Sequence, residues 1–120
     1  MQKYLMVIAG GGAGALARYV LSVAVMSWYS GRFPLGTFLI NVTGSFAIGL
    51  LVTVFFDSPN VRLLLVTGFL GGYTTFSSFE FESWAAFDNG ARWIGLLNLV
   101  GSVVFGYIAV WLGVFAAGKR

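Results

Sequence analysis

Long apolar runs separated by short polar breaks divide the chain. The first run covers 4–28 and stops at Tyr29-Ser30-Gly31-Arg32-Phe33-Pro34, and the second covers 35–56 and stops at Asp57-Ser58-Pro59-Asn60. A third covers 61–84, Asp88-Asn89-Gly90 marks the next turn, and the last covers 91–117. Pro together with Gly, Ser, Asn or Asp at the first two breaks is ordinary turn chemistry. About 20 apolar residues cross the hydrocarbon core as an α-helix. The pattern therefore predicts an all-α membrane protein, one domain over 1–120 with four transmembrane helices. The first run is long for the apolar region of a secretory signal, and the runs after it would hold the product in the membrane in any case. The third run contains Gly68, Gly71 and Gly72, followed by Thr74-Thr75-Phe76-Ser77-Ser78-Phe79. Such a segment is a poor continuous helix, so a break is predicted within Gly71–Ser78.

Composition narrows the function. Of 120 residues, 58% are hydrophobic and 9% charged, with mean hydropathy +0.88, whereas a soluble domain carries about 25% charged residues. A soluble enzyme is close to excluded, and four spans with short turns leave no room for an extramembrane domain. With neither Cys nor His in the chain, disulfides, thiolate nucleophiles, Cys/His zinc sites and imidazole bases are also excluded. The cations Lys3, Arg18, Arg32, Arg62, Arg92, Lys119 and Arg120 are not clustered, which argues against nucleic-acid binding. Lys3, Arg62, Lys119 and Arg120 fall on one side of the membrane, and Arg32 and Arg92 on the other. Four against two is a weak bias under the rule that sets orientation by Lys/Arg excess, so insertion in both orientations is compatible with the sequence, as is a single one. Trp28, Trp84 and Trp93 fall at predicted span ends, where amphipathic rings favour the headgroup region.

Few polar groups lie at membrane depth, and each has two readings. Arg18 lies inside the first run, where a cation costs about 2.5–3.5 kcal/mol; it faces a water-filled mouth or snorkels. Thr37, Asn41 and Ser45 form a stripe with Ile48. Asn41 offers uncharged donors to an anion, or an interhelical hydrogen bond. Phe76 and Phe79 share a helical face among hydroxyl residues; their positive ring edges suit an anion path, although such residues are ordinarily core packing. A break at Gly71–Thr74 frees carbonyls that hold a small cation such as Na⁺, unless Ser and Thr hydroxyls re-satisfy them. Glu80 and Glu82 point to different faces, and Asn98 with Ser102 forms a short stripe in the last run. Small residues at Gly10/Gly14 and Gly68/Gly72 allow close helix approach, between copies or within one chain. Four short helices enclose no wide lumen, which favours self-association.

The blocks Gly10-Gly11-Gly12-Ala13-Gly14-Ala15-Leu16-Ala17-Arg18-Tyr19, Gly36-Thr37-Phe38-Leu39-Ile40-Asn41-Val42-Thr43-Gly44-Ser45-Phe46 and Gly68-Phe69-Leu70-Gly71-Gly72-Tyr73-Thr74-Thr75-Phe76-Ser77-Ser78-Phe79 resemble the CrcB/Fluc family of fluoride channels. That resemblance covers all the spans in order. It implies a passive fluoride exporter, not an enzyme, in the bacterial inner membrane, built as an antiparallel dual-topology homodimer with two pores and a central structural Na⁺. It further implies that Asn41 and the edges of Phe76 and Phe79 contact F⁻, with Thr75, Ser77, Ser78 and Ser102 as hydroxyl partners. Asn98 and Glu82 would lie along the same path, Arg18 at the vestibule, and Gly71 and Thr74 would give backbone carbonyls to Na⁺. Asn98 departs from the Tyr of some members. A small multidrug antiporter of similar size needs a carboxylate in its first helix, and only Arg18 is charged inside this one.

Overall fold

The computed structural model describes residues 1–118; Lys119 and Arg120, counted above among the topological charges, lie outside the described residues. Helix α1 (Gln2–Trp28) and helix α2 (Leu35–Val54) are joined by the Pro34 turn. The third crossing is composite. It opens as α3 (Pro59–Arg62), with Pro59 in the first turn, where its missing N–H removes no helical bond. It widens into a π-helical stretch, π1 (Leu63–Leu70), and returns to α geometry in α4 (Gly71–Tyr73). Thr74 and Thr75 are extended, with ψ of 155° and 111°, and α5 (Phe76–Asp88) resumes the helix. Gly90, at φ +77°, closes the turn into α6 (Arg92–Ala116), a conformation that glycine adopts without steric penalty. No strand occurs among the described residues.

The break is narrower than expected. Gly71 and Gly72 remain helical and only the two threonines leave the helix. Helices α1, α2 and α6 are each long and apolar enough to cross a membrane by themselves, while the third crossing is divided at its middle. Helix α5 also runs a turn past Trp84, which therefore does not end it.

Two backbone-tight seams hold the bundle. Helix α1 packs along π1 and α4, and α2 packs along α6. A Cβ on Gly14 would strike the Phe69 carbonyl, and one on Gly72 the Gly11 carbonyl. On the other seam, a Cβ on Gly49 would strike the Val110 carbonyl, and one on Gly113 the Phe46 carbonyl. Of the two roles open to the glycines Gly10, Gly14, Gly68 and Gly72, the structure takes the intrachain one. The helix backbones meet directly, so these residues are not free to join copies of the chain.

Few side chains are fully enclosed: Val25, Ile40, Leu70, Phe79 and Ala109 among the apolar ones, and Thr75, Ser83 and Asn98 among the polar. Many large apolar side chains face outward, including Tyr4, Ile8 and Met26 of α1 and Trp93, Val103, Tyr107 and Phe115 of α6. That inversion suits hydrocarbon as the surrounding medium, and the protein is a multi-pass membrane protein.

Candidate functional site

Unwinding a helix at membrane depth leaves peptide groups that must find partners. At Thr75 the partner is Asn41 from α2. The Thr75 N–H donates to Asn41 Oδ1 at 2.8 Å, and Asn41 Nδ2 donates to the Thr75 carbonyl at 2.9 Å. The amide thus replaces a peptide neighbour on both sides, which is the interhelical reading of Asn41, and one Nδ2 proton remains outside this pair. Thr75 also caps α5, its Oγ1 accepting from the Ser78 N–H at 3.3 Å. The N–H groups that would serve the carbonyls of Gly71 and Thr74 in a continuous helix, those of Thr75 and Ser78, are therefore turned to Asn41 and to Oγ1. The Leu70 carbonyl accepts both the Thr74 N–H and the Thr74 hydroxyl, so hydroxyl re-satisfaction operates one turn above the break.

A cleft of about 400 Å³ opens beside this point. Asn41 and Ser45 of α2, Thr75, Phe76 and Phe79 at the break, and Ser102 of α6 line it, with Gly71 and Thr74 on the same wall. The two phenyl rings lie 5.7 Å apart with planes tilted by 51°. Phe79 is 6% exposed and Phe76 is 73% exposed, so one ring is fixed in the protein and the other stands at the open side. Asn98 does not line the cleft. It is buried behind it, donating to Ser83 Oγ at 2.8 Å and accepting from Ser102 Oγ at 3.1 Å.

Arg18 is half-buried on a second cleft of about 290 Å³, with Tyr19, Ser22, Thr37, Ser78 and Glu82. Among the described residues, Thr75 alone lines both clefts. Thr37 donates to Glu82 Oε1 at 2.7 Å, while Oε2 is buried without a partner. Glu80 is exposed on another face of α5. Ser77 is exposed and lines neither cleft, so the structure does not bring it to the other hydroxyl residues.

The description "CrcB-like protein, Camphor Resistance (CrcB)" belongs to a family model that matches residues 5–114. The chain belongs to this family. A CrcB relative from Solibacter usitatus, named a fluoride-specific ion channel FluC, is 55% identical over 98% of this chain and 99% of its own length. A FluC of Hydrogenobaculum sp. is 48% identical over 97% and 98%, and one from Acidobacterium capsulatum is 47% identical over 98% and 97%. These relatives are named as channels and not as enzymes.

Within this CrcB chain, sequence reasoning missed Ser83 and the Tyr73–Thr43 pair. Ser83 is 2% exposed and donates to the Phe79 carbonyl at 2.8 Å. Its position four residues after Phe79 was the available signal, because a helical serine at that spacing can bond back to the earlier carbonyl. Tyr73 Oη lies 2.8 Å from Thr43 Oγ1. Since the Thr43 hydroxyl donates to the Leu39 carbonyl at 2.6 Å, Tyr73 is the donor.

Proposed function

We propose that this protein is a fluoride-selective channel that lets F⁻ leave the bacterial cytoplasm passively across the inner membrane. The carrying observation is the cleft at the break, where helices α2, α5 and α6 bring an amide, hydroxyls and two phenyl rings together without a carboxylate. A small anion entering a bilayer must exchange its water shell for donors that do not bind it permanently. Neutral donors meet that need: the spare Asn41 N–H, the Ser45 and Ser102 hydroxyls and the positive ring edges of Phe76 and Phe79. Arg18 in the neighbouring cleft raises the local anion concentration; Thr75 is the wall the clefts share, and Ser78, Thr37 and Glu82 line the Arg18 side.

The functional unit in this reading is an antiparallel dual-topology homodimer with two pores. Phe76 stands at the open side of its cleft, so a second copy supplies the missing wall. The described cations also divide between the ends, Lys3 and Arg62 against Arg32 and Arg92. A structural Na⁺ fits the carbonyls of Gly71 and Thr74, whose helical donors are turned elsewhere. Such neutral oxygen donors suit a hard monovalent cation, and no cluster of acids that could hold a metal exists among the described residues. When bound, the ion would give the freed carbonyls of Gly71 and Thr74 the positive partner that their helical N–H groups no longer supply.

Efflux from liposomes that contain only this protein tests the reading: F⁻ leaves rapidly while Cl⁻ stays. Equal release of both ions, or release of neither, defeats it.

A further inference from the structure

Behind the cleft, three side chains link α5 to α6 in one chain of hydrogen bonds. The Ser83 hydroxyl donates to the Phe79 carbonyl at 2.8 Å, Asn98 Nδ2 donates to Ser83 Oγ at 2.8 Å, and Ser102 Oγ donates to Asn98 Oδ1 at 3.1 Å. Asn98 is 1% exposed and Ser83 is 2% exposed, and neither lines the cleft. The two ends of the relay, Phe79 and Ser102, both do.

We propose that Asn98 and Ser83 are positioning residues that clamp Phe79 and Ser102 at a fixed separation across the conduction path, and that Asn98 does not itself touch the anion. This rests on the channel reading above and assigns the site's geometry to residues outside its lining. The chemistry of each link gives the direction. Phe79 and Ser83 move together on α5, joined by the bond to the Phe79 carbonyl, so Phe79 cannot rotate or slide with α5 unless Ser83 parts from Asn98 across the helix boundary. Ser102 has one proton, which rests on Asn98 Oδ1, so in the resting state its lone pairs face the cleft. An anion arriving there must draw that proton off Oδ1, and Asn98 therefore sets how readily Ser102 becomes a donor. A buried amide with both ends engaged is costly to leave half-paired, which makes the clamp stiff enough for this task.

The test measures F⁻ efflux, the F⁻/Cl⁻ ratio and the thermal midpoint in the same purified preparations. Ser83→Ala removes one hydroxyl at nearly constant volume and is expected to lower F⁻ flux about tenfold while the protein remains folded. Ser83→Thr keeps the hydroxyl and restores flux to within about twofold of the parent. Asn98→Ala lowers flux at least as much, and the Asn98→Ala/Ser83→Ala double variant loses no more than Asn98→Ala alone, because the relay acts as a unit. The F⁻/Cl⁻ ratio falls in each impaired variant, which loss of packing without loss of alignment does not produce. Parent-like flux in Ser83→Ala, or equal loss in Ser83→Thr and Ser83→Ala, overturns the clamp even if Asn98→Ala fails to reach the membrane. Multiplicative losses in the double variant overturn it as well. If the parent protein itself passes no F⁻, the channel reading fails first and the clamp with it; a conducting parent with unaffected variants refutes the clamp alone.

Discussion

The two halves of the third crossing are fastened by different physics. Above the break, π1 and α4 lie against α1 through Gly10, Gly14 and Gly72, backbone against backbone, where a single added methyl meets a carbonyl. Below it, Thr75 and α5 are held by side-chain hydrogen bonds from two other helices: Asn41 and Thr37 of α2, and Asn98 of α6. A glycine seam derives its strength from dispersion at close range and offers no donor to a passing ion. The hydrogen-bonded half has polar groups to present: Ser78 and Glu82 line the Arg18 cleft and Thr75 lines both, while π1 and α4 give the larger cleft Val66, Leu70 and Gly71. Rigidity and polarity are thus divided along one crossing, with the two extended threonines at the boundary.

That contrast predicts a ranking of substitutions. Asn41→Ala should be the most severe, because the Thr75 N–H and carbonyl lose their partner together and each unpaired group costs about 1–3 kcal/mol. Little folded protein and no F⁻ efflux are expected, and Asn41→Asp, which keeps the acceptor but not the donor, should fall between. Next comes Gly14→Ala in the seam, where overpacking against the Phe69 backbone should cost about 3 kcal/mol, read as a lowered thermal midpoint in detergent. If Gly14→Ala proves neutral, the seam is not backbone-tight and the contrast fails on its apolar side. Thr75→Val removes the α5 cap but keeps the shape, and about 1 kcal/mol should be lost. Its flux should fall more than its stability, since Thr75 lines both clefts; a purely thermal effect would place the cap outside the path. The smallest effect belongs to Tyr73→Phe, which deletes the bond to Thr43 on the seam side and should cost about 0.5–1 kcal/mol with flux nearly unchanged. A large loss of flux there would mean that α4 also orders the conduction path.

Much of this site was legible in the chain because membranes make polar residues conspicuous. Asn41, Thr75 and Ser102 stand out against their apolar neighbours, and the Gly-Gly-Tyr-Thr-Thr run announces an interruption. The partners were less legible. Asn41 binds the peptide group of a residue far along the chain, and that pairing depends on the depth and rotation of two helices, which no local pattern encodes. Ser83 escaped notice for the same reason: a serine in an apolar helix reads as incidental until the Asn98 amide is seen against it. Ser77 shows the converse, since its place inside the hydroxyl run suggested the path and helix rotation turns it outward.

By itself, the sequence determined the all-helical membrane class, the interruption of the third crossing, the absence of thiol and imidazole chemistry, and membership of a recognisable family. Those follow from hydropathy, turn chemistry and residue identity, which are one-dimensional properties. Only the tertiary structure decided that the glycines join helices within one chain, that the break narrows to Thr74 and Thr75, and that Asn98 stands behind the cleft instead of in it. The reason is physical: a hydrogen bond or a backbone contact forms only at a few ångströms and in one orientation, and helix packing alone brings distant residues to that range.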